Sequence, residues 1–226
     1  MKNTVLCYFK NLNNQFSDQS KKLISLWHRS WKEHGWNPVV LQKEDSQQNI
    51  KYDIKLWSNR SNLIKNSNPP CPFYIQACYE RWFAYDDFIT RYGICHWADY
   101  DVINYSYNYD RTIIDESCKF DPTHSCGILR PTESNKIIDN ILKYAYCDVL
   151  EFENLEIKDN NDMNLLAKLN ILPLRFICSA PLCNRINYHK ANLVHFHGGL
   201  KNKTIDNINL HNKTRIEIIE SLRPYE

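Results

Sequence analysis

Apolar and polar positions fall into alternating blocks along this chain, and the blocks read in turn as strands and helices. Thr4 to Phe9 (TVLCYF) is an apolar run of strand length. A polar loop, Asn11 to Gln15, separates it from a helical pattern in which Leu23, Ile24, Leu26, Trp27 and Trp31 recur at three- and four-residue spacing. Ser17 or Asp18 suits the start of that helix, and Gly35 its end. Pro38 to Leu41 (PVVL) is a second strand. Strand, helix and strand within about forty residues make a βαβ unit, whose right-handed crossover implies a parallel pair.

The pattern continues after a polar, irregular stretch from Asp45 to Pro72. Phe73 to Phe88 reads as a helix striped by Ile75, Ala77, Cys78, Arg81, Trp82 and Tyr85. Gly93 to Trp97 (GICHW) is a strand that runs into Ala98-Asp99-Tyr100-Asp101-Val102. Cys126 to Leu129 is another strand, Ile137 to Tyr146 a helix, and Asp162 to Leu169 a shorter helix. Leu193 to Phe196 (LVHF) is a last strand, and Ile205 to Leu222 a polar, partly helical end. Strands alternating with helices predict an α/β fold, here a single domain over residues 1–226.

Composition narrows the classes. Aromatic residues make up 13% of the chain, which excludes a disordered or collagen-like protein. The net charge of +2 comes without a Lys/Arg block, so a nucleic-acid partner is not expected. No apolar run reaches membrane-spanning length, and the apolar residues before Lys10 are too few for a secretory core. The nine cysteines include no CxxC pair, which argues against a structural zinc site. Reduced thiols in a cytoplasmic setting are the expectation, and the sequons at Asn59, Asn202 and Asn212 then carry no meaning.

Two segments carry chemistry. Asp99 and Asp101 are two apart where an apolar strand ends, so a continuing strand would turn both carboxylates to one face. Their repulsion favours a cation between them, and a divalent ion with oxygen ligands is the natural one. Carboxyl ends of strands are also where α/β sheets collect ligands. His195 and His197 close the last strand, Gly198 and Gly199 let the backbone approach an anion, and Lys201 adds a point charge within seven residues. That combination suits a metal-bound diphosphate. Each segment also has a plainer reading, as a solvated acidic turn and as a strand end with a glycine turn.

Together with LISLWHRSWKEHGWNPVVL (Leu23 to Leu41), QACYERWFAY and YGICHWADYDVINY (Gln76 to Tyr105), NDMNLL (Asn161 to Leu166) and HFHGGLK (His195 to Lys201), these segments resemble GT-A-type glycosyltransferases. The helix and DxD strand are similar to the capsular-polysaccharide and family 32 groups. HFHGGLK and NDMNLL are similar to the HxxGxxK and N-D-Q-D-x-L segments of the family 8 retaining enzymes. The resemblance implies a mixed, mainly parallel GT-A sheet flanked by helices. It also implies transfer of a sugar from a nucleotide sugar, UDP-linked first and GDP-linked next, to a glycan or glycoconjugate acceptor. Small enzymes of this kind occur in large DNA viruses, which would put this one in the host cytoplasm, in polysaccharide synthesis.

Residue by residue, the resemblance implies that Asp99, Asp101 and His195 hold Mn²⁺ or Mg²⁺ at the diphosphate. Gly198 and Lys201 would hold the phosphates, and Tyr100 lies within the DxD donor site. Cys7 and Tyr8 would touch the nucleoside, Arg81 would lie over the phosphates or donor sugar, and Asp162 would sit between donor sugar and acceptor. The chain departs from the family pattern at Met163, at Ser125 and in having no Pro-Trp after Lys201, which leaves the donor sugar and the stereochemistry open. Retention follows from the HxxGxxK likeness; inversion would make Asp162 the general base. A phosphohydrolase using Asp99 and Asp101, and a non-catalytic nucleotide-sugar binding module, are the readings from other classes. Among the remaining residues, Trp27 and Trp31 read as core. Tyr105, Tyr107 and Tyr109 read as an acceptor platform or a strand face, Glu80, Asp86, Asp87 and His96 as solvated or structural, and Lys10 as a loop charge without a role.

Overall fold

Five consecutive buried residues, Thr4–Tyr8, form β1 and divide the interior in two. Val5 and Cys7 face a cluster with Leu23, Trp27 and Trp31 of α1 (Asp18–Lys32). Leu6 and Tyr8 face the opposite way, into a cluster with Tyr79, Trp82 and Tyr85 of α2 (Pro72–Tyr92). Side chains alternate along a strand, and a strand covered on both faces must be apolar throughout, which is why TVLCY shows no polar alternation. The computed structural model describes residues 3–10, 17–42, 72–93, 95–109, 126–147, 162–169, 189, 191–196, 200 and 202–226. The expectations for the 45–71 segment, Ser125, His197, Gly198, Gly199 and Lys201 lie outside the described residues, as does the side chain of Met163.

The main sheet runs β2 (Asn37–Leu41), β1, β3 (Cys95–Ala98) and β5 (Cys126–Leu129). β2 and β3 lie parallel to β1, with Val5 opposite Pro38 and His96, and β5 lies antiparallel to β3. The sheet is therefore mixed and mainly parallel. Pro38 sits on an edge strand, where a residue without an N–H is tolerated. Helix α1 starts where the sequence indicates, the Ser17 hydroxyl accepting from Ser20 N–H at 3.1 Å. It ends in a turn whose Gly35 has φ +80°, a left-handed conformation that glycine adopts without strain.

Two helices are longer than their apolar stripes suggest. α2 runs on past Phe88 to Tyr92 and stops at Gly93, φ +84°, whose N–H reaches the Ile89 carbonyl at 2.7 Å. α3 (Pro131–Tyr146) begins at a proline and not at Ile137, because Glu133 Oε2 accepts from Arg130 N–H at 3.0 Å and satisfies the helix start. These two helices and α4 (Asp162–Lys168) supply one core cluster.

The other cluster is closed by smaller elements. β4 (Val102–Asn104) pairs antiparallel with β6 (Leu193–His195). β7 (Thr204–Ile205) and β8 (Ile208–Asn209) form a hairpin whose two turn residues, Asp206 and Asn207, both have positive φ. α5 (Arg215–Leu222) follows, and within the segment 205–222 only this part is helical. Its end is pinned by Arg223 Nη1 on the Ala191 carbonyl and by the Tyr225 hydroxyl on Glu33, each at 2.7 Å. Among the described residues no helix is long and apolar enough to cross a membrane.

His96 lies inside the sheet against Trp36, ring centroids 4.5 Å apart. Burial pushes its pKa down from the usual 6.5 to about 4, so the folded state holds it neutral. Because the folded value lies below the unfolded one, its contribution is complete above pH 6.5 and is lost as pH falls toward 4. Urea unfolding at pH 7 and pH 4 should show a loss of about 3 kcal/mol that His96→Leu removes. An equal pH dependence in the variant would mean that other groups carry it.

Candidate metal centre

A chain reversal makes the site. After β3 the chain turns at Asp99–Val102, the Val102 N–H donating to the Asp99 carbonyl at 2.9 Å, and then enters β4. Trp31 of α1 holds this turn from below by donating its indole N–H to the Val102 carbonyl at 3.1 Å. Ser30 beside it accepts from Asn104 N–H at 3.2 Å. The pairing of β4 with β6 sets Val102 opposite His195, and the Phe196 N–H reaches the Asp101 carbonyl at 2.9 Å. His195 is thereby delivered to the DxD turn from far along the chain.

Ligand atoms of Asp99, Asp101 and His195 all lie within 4.8 Å of one another. Asp101 and His195 are buried, and the Asp99 side chain keeps 22% exposure. His195 Nε2 is 3.3 Å from Asp101 Oδ1. At that distance His195 contacts Asp101 directly. The two carboxylates are donors suited to Mn²⁺ or Mg²⁺, and the imidazole is a donor for a transition-metal ion, so the set fits Mn²⁺ better than Mg²⁺.

Two arginines surround the cluster. Arg81 of α2 places Nη1 2.6 Å from Asp99 Oδ1, and Nη2 and Nε 2.6 and 2.7 Å from Asp162 Oδ2. Arg215 of α5 places Nε 3.1 Å from Asp101 Oδ2, an ion pair and not an aligned hydrogen bond, and donates Nη1 to the Tyr100 hydroxyl at 2.7 Å. Each arginine engages one oxygen of its DxD aspartate, and His195 Nε2 faces the other oxygen of Asp101.

Asp101 is held ionised. Burial alone would raise its pKa, but Arg215 and His195 outweigh that and bring it down to about 2. Arg81 is held charged by Asp162 and Asp99 against the opposing effect of its own burial. Asp162 goes the other way: burial raises its pKa, only partly offset by Arg81 and by the indole N–H of Trp82. Asp162 is 1% exposed, with Oδ2 held by those two donors and Oδ1 enclosed without a hydrogen-bond partner.

The other expected residues sit differently. Cys7 is fully enclosed in the core beneath the turn, where burial and the nearby Asp99 and Asp101 charges keep its thiol protonated, so it offers a nucleoside no surface. Tyr8 is buried and donates its hydroxyl to Glu80 at 2.9 Å. Glu80 also takes Lys10 at 2.8 Å and Gln76 at 2.7 Å, which gives Lys10 a structural role. Tyr107 stacks on Trp36 at 5.3 Å, Tyr109 meets Trp36 edge-on, and Tyr105 packs against Tyr225, so these rings serve packing. Sequence reasoning passed over Arg215. The signal for it is Thr214-x-x-Glu217, a capping box that the structure realises and that sets Arg215 in the first turn of α5.

Removing Asp162 strands a buried guanidinium. Asp162→Ala should lower the unfolding free energy by about 3–5 kcal/mol, as loss of one partner of a buried ion pair does. Asp99→Ala, at the more exposed end of the same arginine, should cost clearly less in the same urea titration. Equal losses would show that Arg81 is not anchored through Asp162.

Compared with protein-family models, curated proteins and solved structures, the chain matches none.

Proposed function

We propose that this protein is a metal-dependent glycosyltransferase that takes a sugar from a nucleoside diphosphate donor, UDP-linked first, and passes it to a glycan acceptor. The observation that carries the reading is the convergence of Asp99 and Asp101, in the turn that leaves β3 of the mixed sheet, with His195 of the separate β4–β6 pair. Asp99, Asp101 and His195 would hold Mn²⁺ or Mg²⁺. That ion supplies Lewis-acid stabilisation of the negative charge developing on the leaving diphosphate.

The chain's own residues do the rest. Arg81 orients Asp99 and fixes it against Asp162, so the metal-binding carboxylate is preorganised. Trp31 and Ser30 hold the turn that carries both aspartates. Asp101 stays ionised throughout the physiological range. Asp162 is an anchor in this reading: its enclosure and its bonds to Arg81 and Trp82 keep it from an acceptor hydroxyl. That enclosure removes the carboxylate named as general base for inversion, and orientation of the acceptor supplies part of the rate.

A melting panel with UDP-, GDP- and dTDP-sugars, each with and without Mn²⁺, tests the proposal. A UDP-sugar in roughly hundredfold excess over Kd should raise Tm by about 5–10 °C, and only with Mn²⁺. Asp101→Asn should lose that response while still unfolding cooperatively. Silence from every nucleotide with Mn²⁺ present would overturn the reading.

A further inference from the structure

Beside the metal-ligand cluster lies a cavity of about 630 Å³. Phe9 enters it from the end of β1, Ser17 and Ser20 from the start of α1, and Lys213 and Arg215 from the start of α5. Tyr100, between the two aspartates, completes this wall, with Phe9 packed edge-on against it at 5.4 Å. Two cationic side chains and no acidic one belong to the described lining, although Asp101 lies behind Arg215. The capping residues of both helices, Ser17 and Thr214, are on its surface, so the positive ends of two helix dipoles face the same space. The cavity suits an anion, and the centre beside it suits a cation.

Arg215 belongs to both. Its Nε is 3.1 Å from Asp101 Oδ2, while Nη1 is 2.7 Å from the Tyr100 hydroxyl and the guanidinium carbon 5.3 Å from the Tyr100 ring. The Arg215 side chain keeps 32% exposure, and the residue lines the cavity. A planar guanidinium is the side chain best shaped to bind a carboxylate on one edge and a phosphate on another.

We infer that Arg215 is a positioning residue that makes binding of the metal ion and binding of the donor's diphosphate depend on each other. The inference rests on the proposed function and adds the residue that links its two ligands. Arg215 holds Asp101 through Oδ2 and stands clear of Oδ1, the oxygen that faces His195. A positive group so near that ion repels it, so the ion alone binds below the strength its ligands allow. A diphosphate lying between ion and guanidinium is attracted to both and cancels that repulsion. Each ligand then strengthens the other by the same factor, as linkage requires.

The test separates the two effects by their signs. Mn²⁺ is titrated alone by electron paramagnetic resonance, and UDP is then titrated calorimetrically at saturating Mn²⁺. Wild type, Arg215→Met and Arg215→Lys are compared. Arg215→Met should bind Mn²⁺ alone about tenfold more tightly, because a like charge has gone. It should bind UDP about tenfold more weakly, because a charge-assisted contact has gone. Arg215→Lys keeps the charge without the fork. It should leave Mn²⁺ affinity near wild type and weaken UDP by a smaller factor, which gives a reading if the Met variant does not fold. A merely structural arginine would weaken both ligands together, and that result, or no change in either, overturns the inference while the metal centre stands. If wild type binds no Mn²⁺ with or without UDP, the proposed function fails and this inference with it.

Discussion

The arrangement depends on neutralising carboxylates that the fold crowds together at a strand end and a helix start. Asp99 and Asp101 lie where β3 stops, Asp162 opens α4 and is tied to Asp99 through Arg81, and Asp101 and Asp162 are almost wholly buried. Buried charge is costly unless it is paired, and here the pairing comes from two helices on opposite faces of the sheet. Arg81 comes from α2 on one side and Arg215 from α5 on the other. The site is therefore a joint between the two core clusters, and each cluster ends in a cation that holds an acidic turn in place.

That placement explains why so much aromatic surface surrounds a polar centre. Trp82 and Trp97 flank the Arg81 guanidinium at 5.4 and 5.6 Å, and Tyr100 flanks Arg215 at 5.3 Å. Ring faces stabilise a guanidinium and also exclude water from it, which strengthens its ion pairs. Trp31 and Trp82 spend their indole N–H groups on the site, one on the backbone of the DxD turn and one on Asp162. The tryptophans are core residues by packing and site residues by their single polar atom.

Much of the framework was legible along the chain. The strands at Thr4, Pro38, Gly93, Cys126 and Leu193 and the helix at Ser17 appear close to where apolar runs and caps put them. The helix ends were less legible. α2 and α3 extend beyond their stripes because glycine and a capping carboxylate, and not apolar periodicity, decide where they stop and start. β4 escaped notice because three residues of strand after a turn carry too little pattern to register.

The sequence by itself determined that two aspartates stand two apart at a strand end and that a histidine closes a later strand, because periodicity and spacing are local properties. It determined too that Thr4 to Phe9 is an apolar run of strand length. Only the tertiary structure decided that β6 lies beside β4 and so brings His195 to Asp101. It also decided that Arg81 turns inward to Asp162, and that Arg215 arrives from the far end of the chain with one edge on Asp101 and the rest in a cavity. Which charges become neighbours is settled by strand pairing and helix packing between distant segments, and no local pattern encodes that choice.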